Sequence, residues 1–419
     1  DVLRHQAQQG SHRCYALIHL GLDDFKLVND MHGHGLGDRA LVEFSQLLRQ
    51  DSDSHCGHPS LCQLARISGD EFAVLLFGHD AASAEALARR VQVRLHQPLR
   101  LGELNLFLKC SVGIAASERS QLLDLNRRAA LALEDAKISG KQVRRLYSDE
   151  LEAQVRATQL IEEALKRAIV NDELTLVFQP YLRASDGTVA GAEALLRWHS
   201  STLGHVGPDR FIPVAEKSGL IIALDRWVVR NAISALARIR ASHAPHFRLA
   251  VNISTRELQE PDFADFLAAC LREHKVPAEA LELELTETAI TQVDHAFVLL
   301  AVRLHELGVA LVLDDFGTGF TSLNHLSQLP ISKLKIERQH VNQIGQQGYG
   351  VALVDVVVSL SKVFGFAVTA EGVETEQQWR YLSDLKVDYL QGYRFFRPMP
   401  RADLELLLGT PARANAVSG

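Results

Sequence analysis

Ten residues, LVLDDFGTGF at 311–320, set two adjacent aspartates at the end of an apolar run and follow them with a glycine-rich turn. Inside a regular strand neighbouring side chains point to opposite faces, so consecutive carboxylates would leave one charge facing the wrong way. At a strand's end both can turn toward one point. Two carboxylates held there repel each other and stay ionised only beside a cation, which makes Asp314 and Asp315 candidates for a divalent metal site or an acid–base pair. The plainer alternative is a solvated turn leading into glycines.

From Leu174 onward the arrangement repeats. Eight short strand-like runs (LTLVFQP, VAGAEALLRW, FRLAVNIS, LELELTE, VALVLDD, SKLKI, AVTAEGV, YLQGYRF) carry conspicuous polar residues toward their ends: Gln179, Glu193, Asn252, Glu284, Asp314 with Asp315, Lys335, Glu371 and Gln391. Glu193, Asn252, Glu284, Asp314, Asp315 and Glu371 are hard oxygen donors without cysteine or histidine, a set suited to Mg2+ or Mn2+ rather than zinc. Five acids around one cavity suit two such ions, and a two-metal centre suits in-line phosphoester hydrolysis. Lys335 is read as holding or deprotonating the attacking water or stabilising phosphate charge, with an ordinary ion pair to an acid as the alternative. Arg197 is a candidate phosphate contact, or a support stacked beside Trp198. Glu287 is read as an anchor of the DFGTGF loop, and Glu374 as a contact to the phosphate or its water. Gly317 and Gly319 give that loop freedom to rearrange.

These residues need a scaffold that brings strand ends together. Most of the eight runs are separated by helical patterns, which is the arithmetic of a (β/α)8 TIM-like barrel, whose sites lie at the carboxyl ends of its strands. Ahead of it, residues 1–147 alternate strand-like runs (14–20, 72–77, 106–115, 143–147) with amphipathic stretches (39–50, 83–97, 122–138), the pattern of a smaller α/β sandwich. The expected organisation is that domain, a linker helix over 148–165, the barrel over 166–405 and a tail over 406–419.

At 419 residues two domains are expected, and 47% hydrophobic with 23% charged residues is ordinary for a globular protein. A net charge of −7 argues against sequence-independent binding of DNA or RNA. Five scattered cysteines fit reduced thiols and a cytoplasmic location, and the cluster HCGHPSLC matches no common zinc spacing. The chain opens on Asp1 and enters a folded pattern almost at once, which is compatible with a fragment of a longer protein, and any upstream sensory or membrane-anchored part is outside this sequence.

The motifs EALLRW, VNIS, ELTET, DDFGTGF, LKI, AEGVE and QGYRF, in this order over roughly 155–405, resemble an EAL domain, the bacterial phosphodiesterase of cyclic di-GMP. The resemblance implies two Mg2+ or Mn2+ ions on the matching acids and asparagine, a lysine that assists the water, linear pGpG as product and a homodimer. Phe320 stands where Tyr is usual, and Glu337 where Asp follows LKI. LDDFKLVNDMHGHGLGD, RISGDEF and EDAKISGK in the first domain resemble a GGDEF domain, a diguanylate cyclase fold. Asn29 and Asp38 match its guanine-recognising pair; Asp70 and Glu71 remain of the signature, with Ser68 for its first glycine. Lys137 matches a phosphate lysine, and Lys141 replaces an arginine. Gly21 occupies the position of a metal-binding aspartate, and the family's inhibitory arginine-x-x-aspartate is absent, with Pro59 and Cys62 standing where its two ends would be. The expectation is a GTP-binding regulator with little or no cyclase activity attached to a phosphodiesterase. The alternatives are a silent cyclic di-GMP receptor and a bifunctional enzyme.

Overall fold

The structure is a computed structural model that describes residues 12, 14–102, 104–242, 244–287, 295–317, 328–345 and 349–409. Gly319, Phe320 and the tail from 410 lie outside the described residues. Two units divide the chain, Asp1–Leu160 and Ile161–Gly419.

The first unit is built on β1 (Cys14–Leu22), α1 (Phe25–His32), α2 (His34–Cys56), β2 (Cys62–Ser68), β3 (Glu71–Phe77), α3 (Ala81–Arg94), β4 (Leu99–Leu101), β5 (Leu104–Leu106), β6 (Cys110–Glu118), α4 (Leu125–Ile138) and β7 (Arg144–Leu146). Its main sheet has the order β2-β3-β1-β6-β7, with β1 antiparallel to both neighbours. The two-residue period of β1 feeds two cores: Ala16, Ile18 and Leu20 pack with α2 and α3, while Tyr15 and Leu17 pack with Leu125 and Ala129 of α4. The run 106–115 is not one strand. Leu106 closes a separate β4–β5 hairpin, and β6 begins only at Cys110. Within HCGHPSLC the polar groups have local partners: His55 Nε2 meets Ser83 Oγ, His58 Nδ1 meets Ser60 Oγ and Cys62 Sγ reaches Asp53 Oδ1.

Helix α5 (Asp149–Ala168) contains the division between the units. The second unit then runs β8 (Leu174–Arg183), β9 (Val189–Ser200), β10 (Gly204–Val206), α6 (Pro208–Ser218), α7 (Ile221–Ser242), β11 (Arg248–Asn252), α8 (Phe263–His274), β12 (Leu281–Thr286), α9 (His295–Glu306), β13 (Ala310–Phe316), β14 (Ile331–Ile336), α10 (Arg338–Val341), α11 (Tyr349–Phe364), β15 (Ala367–Ala370), α12 (Glu376–Asp384), β16 (Tyr389–Leu390) and α13 (Arg401–Gly409). The strands β9-β11-β12-β13-β14-β15-β16-β8 close into an eight-strand, TIM-like barrel through the β8–β9 pairing. The barrel departs from eight parallel strands in one place: β8 is antiparallel to both β9 and β16. The cause is local. Only Ala184–Thr188 joins β8 to β9, with Gly187 at φ 68° and Asp186 Oδ1 accepting from Thr188 N, so the chain turns back as a hairpin rather than crossing over through a helix.

Two strands show how the sequence loads the barrel. In LELELT, Leu281, Leu283 and Leu285 face the helix layer, while Glu282 and Glu284 are buried on the other face. In ISKLKI, Leu334 and Ile336 go to the helices, and Lys333 and Lys335 go inward. Period-two alternation thus stacks two acid–lysine layers inside the barrel. In the first layer Lys333 Nζ donates to Glu282 Oε2 (2.5 Å), which also accepts from Tyr181 Oη (3.2 Å). Lys333 is further held between the rings of Tyr181 and Tyr389. The second layer is the candidate site.

Candidate active site

The Lys335 side chain, 2% exposed, is the hub of that layer. Its Nζ lies 2.6 Å from Glu371 Oε1, 2.9 Å from Glu284 Oε1, 3.3 Å from Asp314 Oδ2 and 3.4 Å from Glu193 Oε2. Glu193 also accepts from Asn252 Nδ2 on Oε1 and from Gln391 Nε2 on Oε2, both at 2.9 Å. It stands inside β9 rather than at its end, and Gln179 of the reversed strand β8 pairs with it in register. The amide of Gln179 donates to Phe396 O. Asn252 closes β11, and Glu371 and Gln391 follow β15 and β16 directly, their N–H groups donating to Ile336 O and Ala370 O.

The adjacent aspartates do not rely on the strand simply ending. Asp315 adopts φ 55°, the left-handed region, and the β13–β14 register shifts between Leu313 and Phe316. That bulge breaks the alternation that would otherwise send the two side chains to opposite faces. Asp315 N–H donates to Asp314 Oδ1 at 2.9 Å.

The electrostatics follow from burial and crowding. Burial pushes Glu284 well above the usual carboxylate range, and the charges of Glu193, Asp314 and Glu371 add to it against Lys335. Burial likewise drives Glu371 up to about 8 despite Lys335, and Asp315 up to about 6, where Asp314 and Glu337 repel it. Glu193 is the exception: burial opposes its charge, yet Lys335, Gln391 and Asn252 together hold it below the usual range. Burial also works against the charged form of Lys335, but the four acids outweigh it and keep the ammonium protonated.

A cleft opens onto this layer, lined by Gln179, Glu193, Asp314, Glu371, Glu374 and Gln391 from the expected set. Sequence reasoning missed Arg338 and Tyr393 in the same lining. Arg338, three residues past Lys335, pairs with Glu374 Oε1 at 2.7 Å, and Gly372, at φ 64°, leaves room for its stem. Its signal was a lone arginine directly after the LKIE run. Arg197 is not in the cleft lining; its Nη1 donates to Leu196 O. Glu287, buried, accepts from Gly317 N–H at 3.0 Å.

As arranged, Lys335 occupies the centre, and among the described residues no three acid, histidine or cysteine side chains close around a common point as metal ligands. The donor chemistry nevertheless fits Mg2+ or Mn2+. All six candidates present oxygens, the carboxyls repel each other, and Oε2 of Glu284 is buried with no donor among the described residues.

In the first unit Asn29, Asp38 and Asp70 line one cleft together with Lys26 and Arg66. Lys137 instead pairs with Glu71 Oε1 at 2.6 Å, and Lys141 with Asp24 Oδ1 at 2.6 Å.

The EAL domain model matches residues 162–398, and the model of the diguanylate cyclase GGDEF domain matches 1–143. Cyclic di-GMP phosphodiesterase NbdA of Pseudomonas aeruginosa is 37% identical over 94% of this chain and 50% of its own length. The bifunctional diguanylate cyclase/cyclic di-GMP phosphodiesterase MucR of the same organism is 33% identical over 96% of this chain and 59% of its own. The chain thus spans little more than half the length of these relatives. A solved structure of the PaMucR phosphodiesterase in complex with c-di-GMP is 34% identical, with a TM-score of 0.57, covering 58% of this chain and 99% of that one. The chain belongs to the EAL domain family, and it carries a GGDEF domain ahead of the barrel.

Proposed function

We propose that the barrel hydrolyses cyclic di-GMP to linear 5'-pGpG, and that the GGDEF domain binds GTP as a regulator without being an effective cyclase. A cytoplasmic homodimer belongs to the same proposal. The observation that carries it is the gathering of Glu193, Glu284, Asp314 and Glu371 on one buried ammonium beneath an open cleft. Glu193, Asn252, Glu284, Asp314, Asp315 and Glu371 are the residues to hold two Mg2+ or Mn2+ ions. When bound there, such ions supply an activated water and neutralise charge on the phosphodiester oxygens.

The chain's own groups have separable tasks. Lys335, whose Nζ reaches all four acids, is the group to donate hydrogen bonds to water or phosphate oxygen. Gln179, Gln391 and Glu374 orient the substrate at the cleft wall, with Arg338 as the cation there for its phosphates. Glu287 fixes the start of the glycine loop through Gly317. A bifunctional reading has the likeness to MucR in its favour, but Gly21 removes a carboxylate from the cyclase site.

The test is a chromatographic time course with cyclic di-GMP and Mg2+, with and without GTP. Appearance of pGpG, lost by on the order of 10³-fold or more in Glu193→Ala, is the expected result. Tight binding without turnover would make the protein a receptor, and cyclic di-GMP formed from GTP at an ordinary rate would make it bifunctional.

A further inference from the structure

At the end of β1, Gly21 lies opposite Glu71 in the antiparallel register, and Leu22 N–H donates to Asp70 O across the same turn. A side-chain carbon placed on Gly21 would stand 2.5 Å from Cε and 2.8 Å from Nζ of Lys137, inside any normal non-bonded contact. Lys137 reaches this point from α4 and donates to Glu71 Oε1 at 2.6 Å. Those two atoms are the far end of a flexible side chain, which a residue larger than glycine would push aside; with glycine at position 21 the lysine rests there and brings a positive charge to Glu71. The neighbouring His19 adds no charge: burial lowers its pKa, and its Nε2 is engaged with Asn126.

We infer that the first domain binds a nucleoside triphosphate without a divalent cation, with the Lys137 ammonium taking the place of the metal. This rests on the GTP-binding reading above. A hard divalent ion needs several oxygen donors, and position 21 offers none. An ammonium already on Glu71 repels a second cation there while presenting further N–H donors to phosphate. The side chains of Lys137 and Glu71 are 34% and 31% exposed, so solutes reach them. The adjoining cleft, lined by Asn29, Asp38 and Asp70, adds Lys26 and Arg66.

The experiment is a calorimetric titration of the whole chain with GTP and with guanosine, each in EDTA and in Mg2+. GTP should bind in EDTA within about twofold of its Mg2+ affinity, and about tenfold or more tighter than guanosine. Lys137→Met should bring GTP in EDTA down toward guanosine while leaving guanosine unchanged, and Lys137→Arg should restore most of the loss. Gly21→Asp should make GTP binding depend on Mg2+. Binding of GTP by the unaltered chain only with Mg2+, or an unchanged affinity in Lys137→Met, would overturn the inference and leave the GTP-binding reading standing. No binding of GTP under either condition would overturn both.

Discussion

Both domains seat a lysine ammonium against carboxylates near strand ends, and the two differ in how completely they bury it. Lys335 is enclosed and meets four acids, whereas Lys137 is about a third exposed and meets one. In the barrel, taking the ammonium and its acids out of water costs several kcal/mol for each group that stays ionised, and only mutual attraction and the hydrogen bonds from Asn252 and Gln391 offset it. In the first domain the pair remains screened by solvent, and position 21 presents no side chain beside it. The same chemical pairing thus serves as a counter-ion for a charged ring in one place and as a substitute cation in the other.

The largest expected effect tests the enclosed lysine. Lys335→Met leaves Glu193, Glu284, Asp314 and Glu371 facing one another without a cation, so the barrel should lose about 3–5 kcal/mol in EDTA. Mg2+ or Mn2+ should restore more of its melting temperature than the same ions add to the unaltered chain. All three tryptophans, Trp198, Trp227 and Trp379, lie in the second unit, so their fluorescence reports the barrel alone. An unchanged melting temperature in EDTA would mean that the acids do not depend on the ammonium.

How much of this was legible depended on the kind of interaction. The alternations LELEL and KLKI already place acids and lysines on one face and leucines on the other, so the converging ring followed from strand periodicity. The reversed strand β8 was signalled by the Asp186–Gly187 turn, a short-range hairpin cue outweighed by the regular count of eight runs. The left-handed Asp315 was not readable, because an aspartate in that conformation is selected by its surroundings and not by its neighbours in the chain. Gly21 was visible as a missing ligand. That Lys137 fills the space is a contact between distant segments, which no local pattern carries.

A smaller effect concerns a buried acid of the second unit. Burial pushes Asp225 of α7 up to about 7, against hydrogen bonding from Ser254 and with added repulsion from Glu257 and Glu216. Among the described residues of the first unit, the carboxyls with resolved shifts, Glu150 and Glu152, are both lowered. A carboxyl whose pKa is higher folded than unfolded contributes its full stability below about pH 4 and loses it as pH rises through about 7. A rise of roughly three units corresponds to at most about 4 kcal/mol. Asp225→Asn removes that loss, so between pH 5 and about pH 7 its unfolding free energy should gain steadily on that of the unaltered chain and then level off toward pH 8. Urea titrations followed by tryptophan fluorescence measure the gap, and a constant difference across that range would show that Asp225 is not buried as a neutral acid.

The smallest effect belongs to the exposed lysine and is the most direct check on the comparison. Lys137→Met breaks the ion pair with Glu71, but both partners keep access to water, so the first unit should lose no more than about 1 kcal/mol. Hydrogen exchange at the paired amides of β1 and β3, from Tyr15 to Leu20 and from Phe72 to Phe77, reads that unit without interference from the barrel. Divalent ions should not recover the loss, because Glu71 alone offers too few oxygens to hold one. A loss as large as that of Lys335→Met would mean that Lys137 is a structural counter-ion after all. A recovery by Mg2+ would mean that the lysine excludes a metal the site can otherwise bind, and the contrast between the two domains would reduce to a difference in exposure.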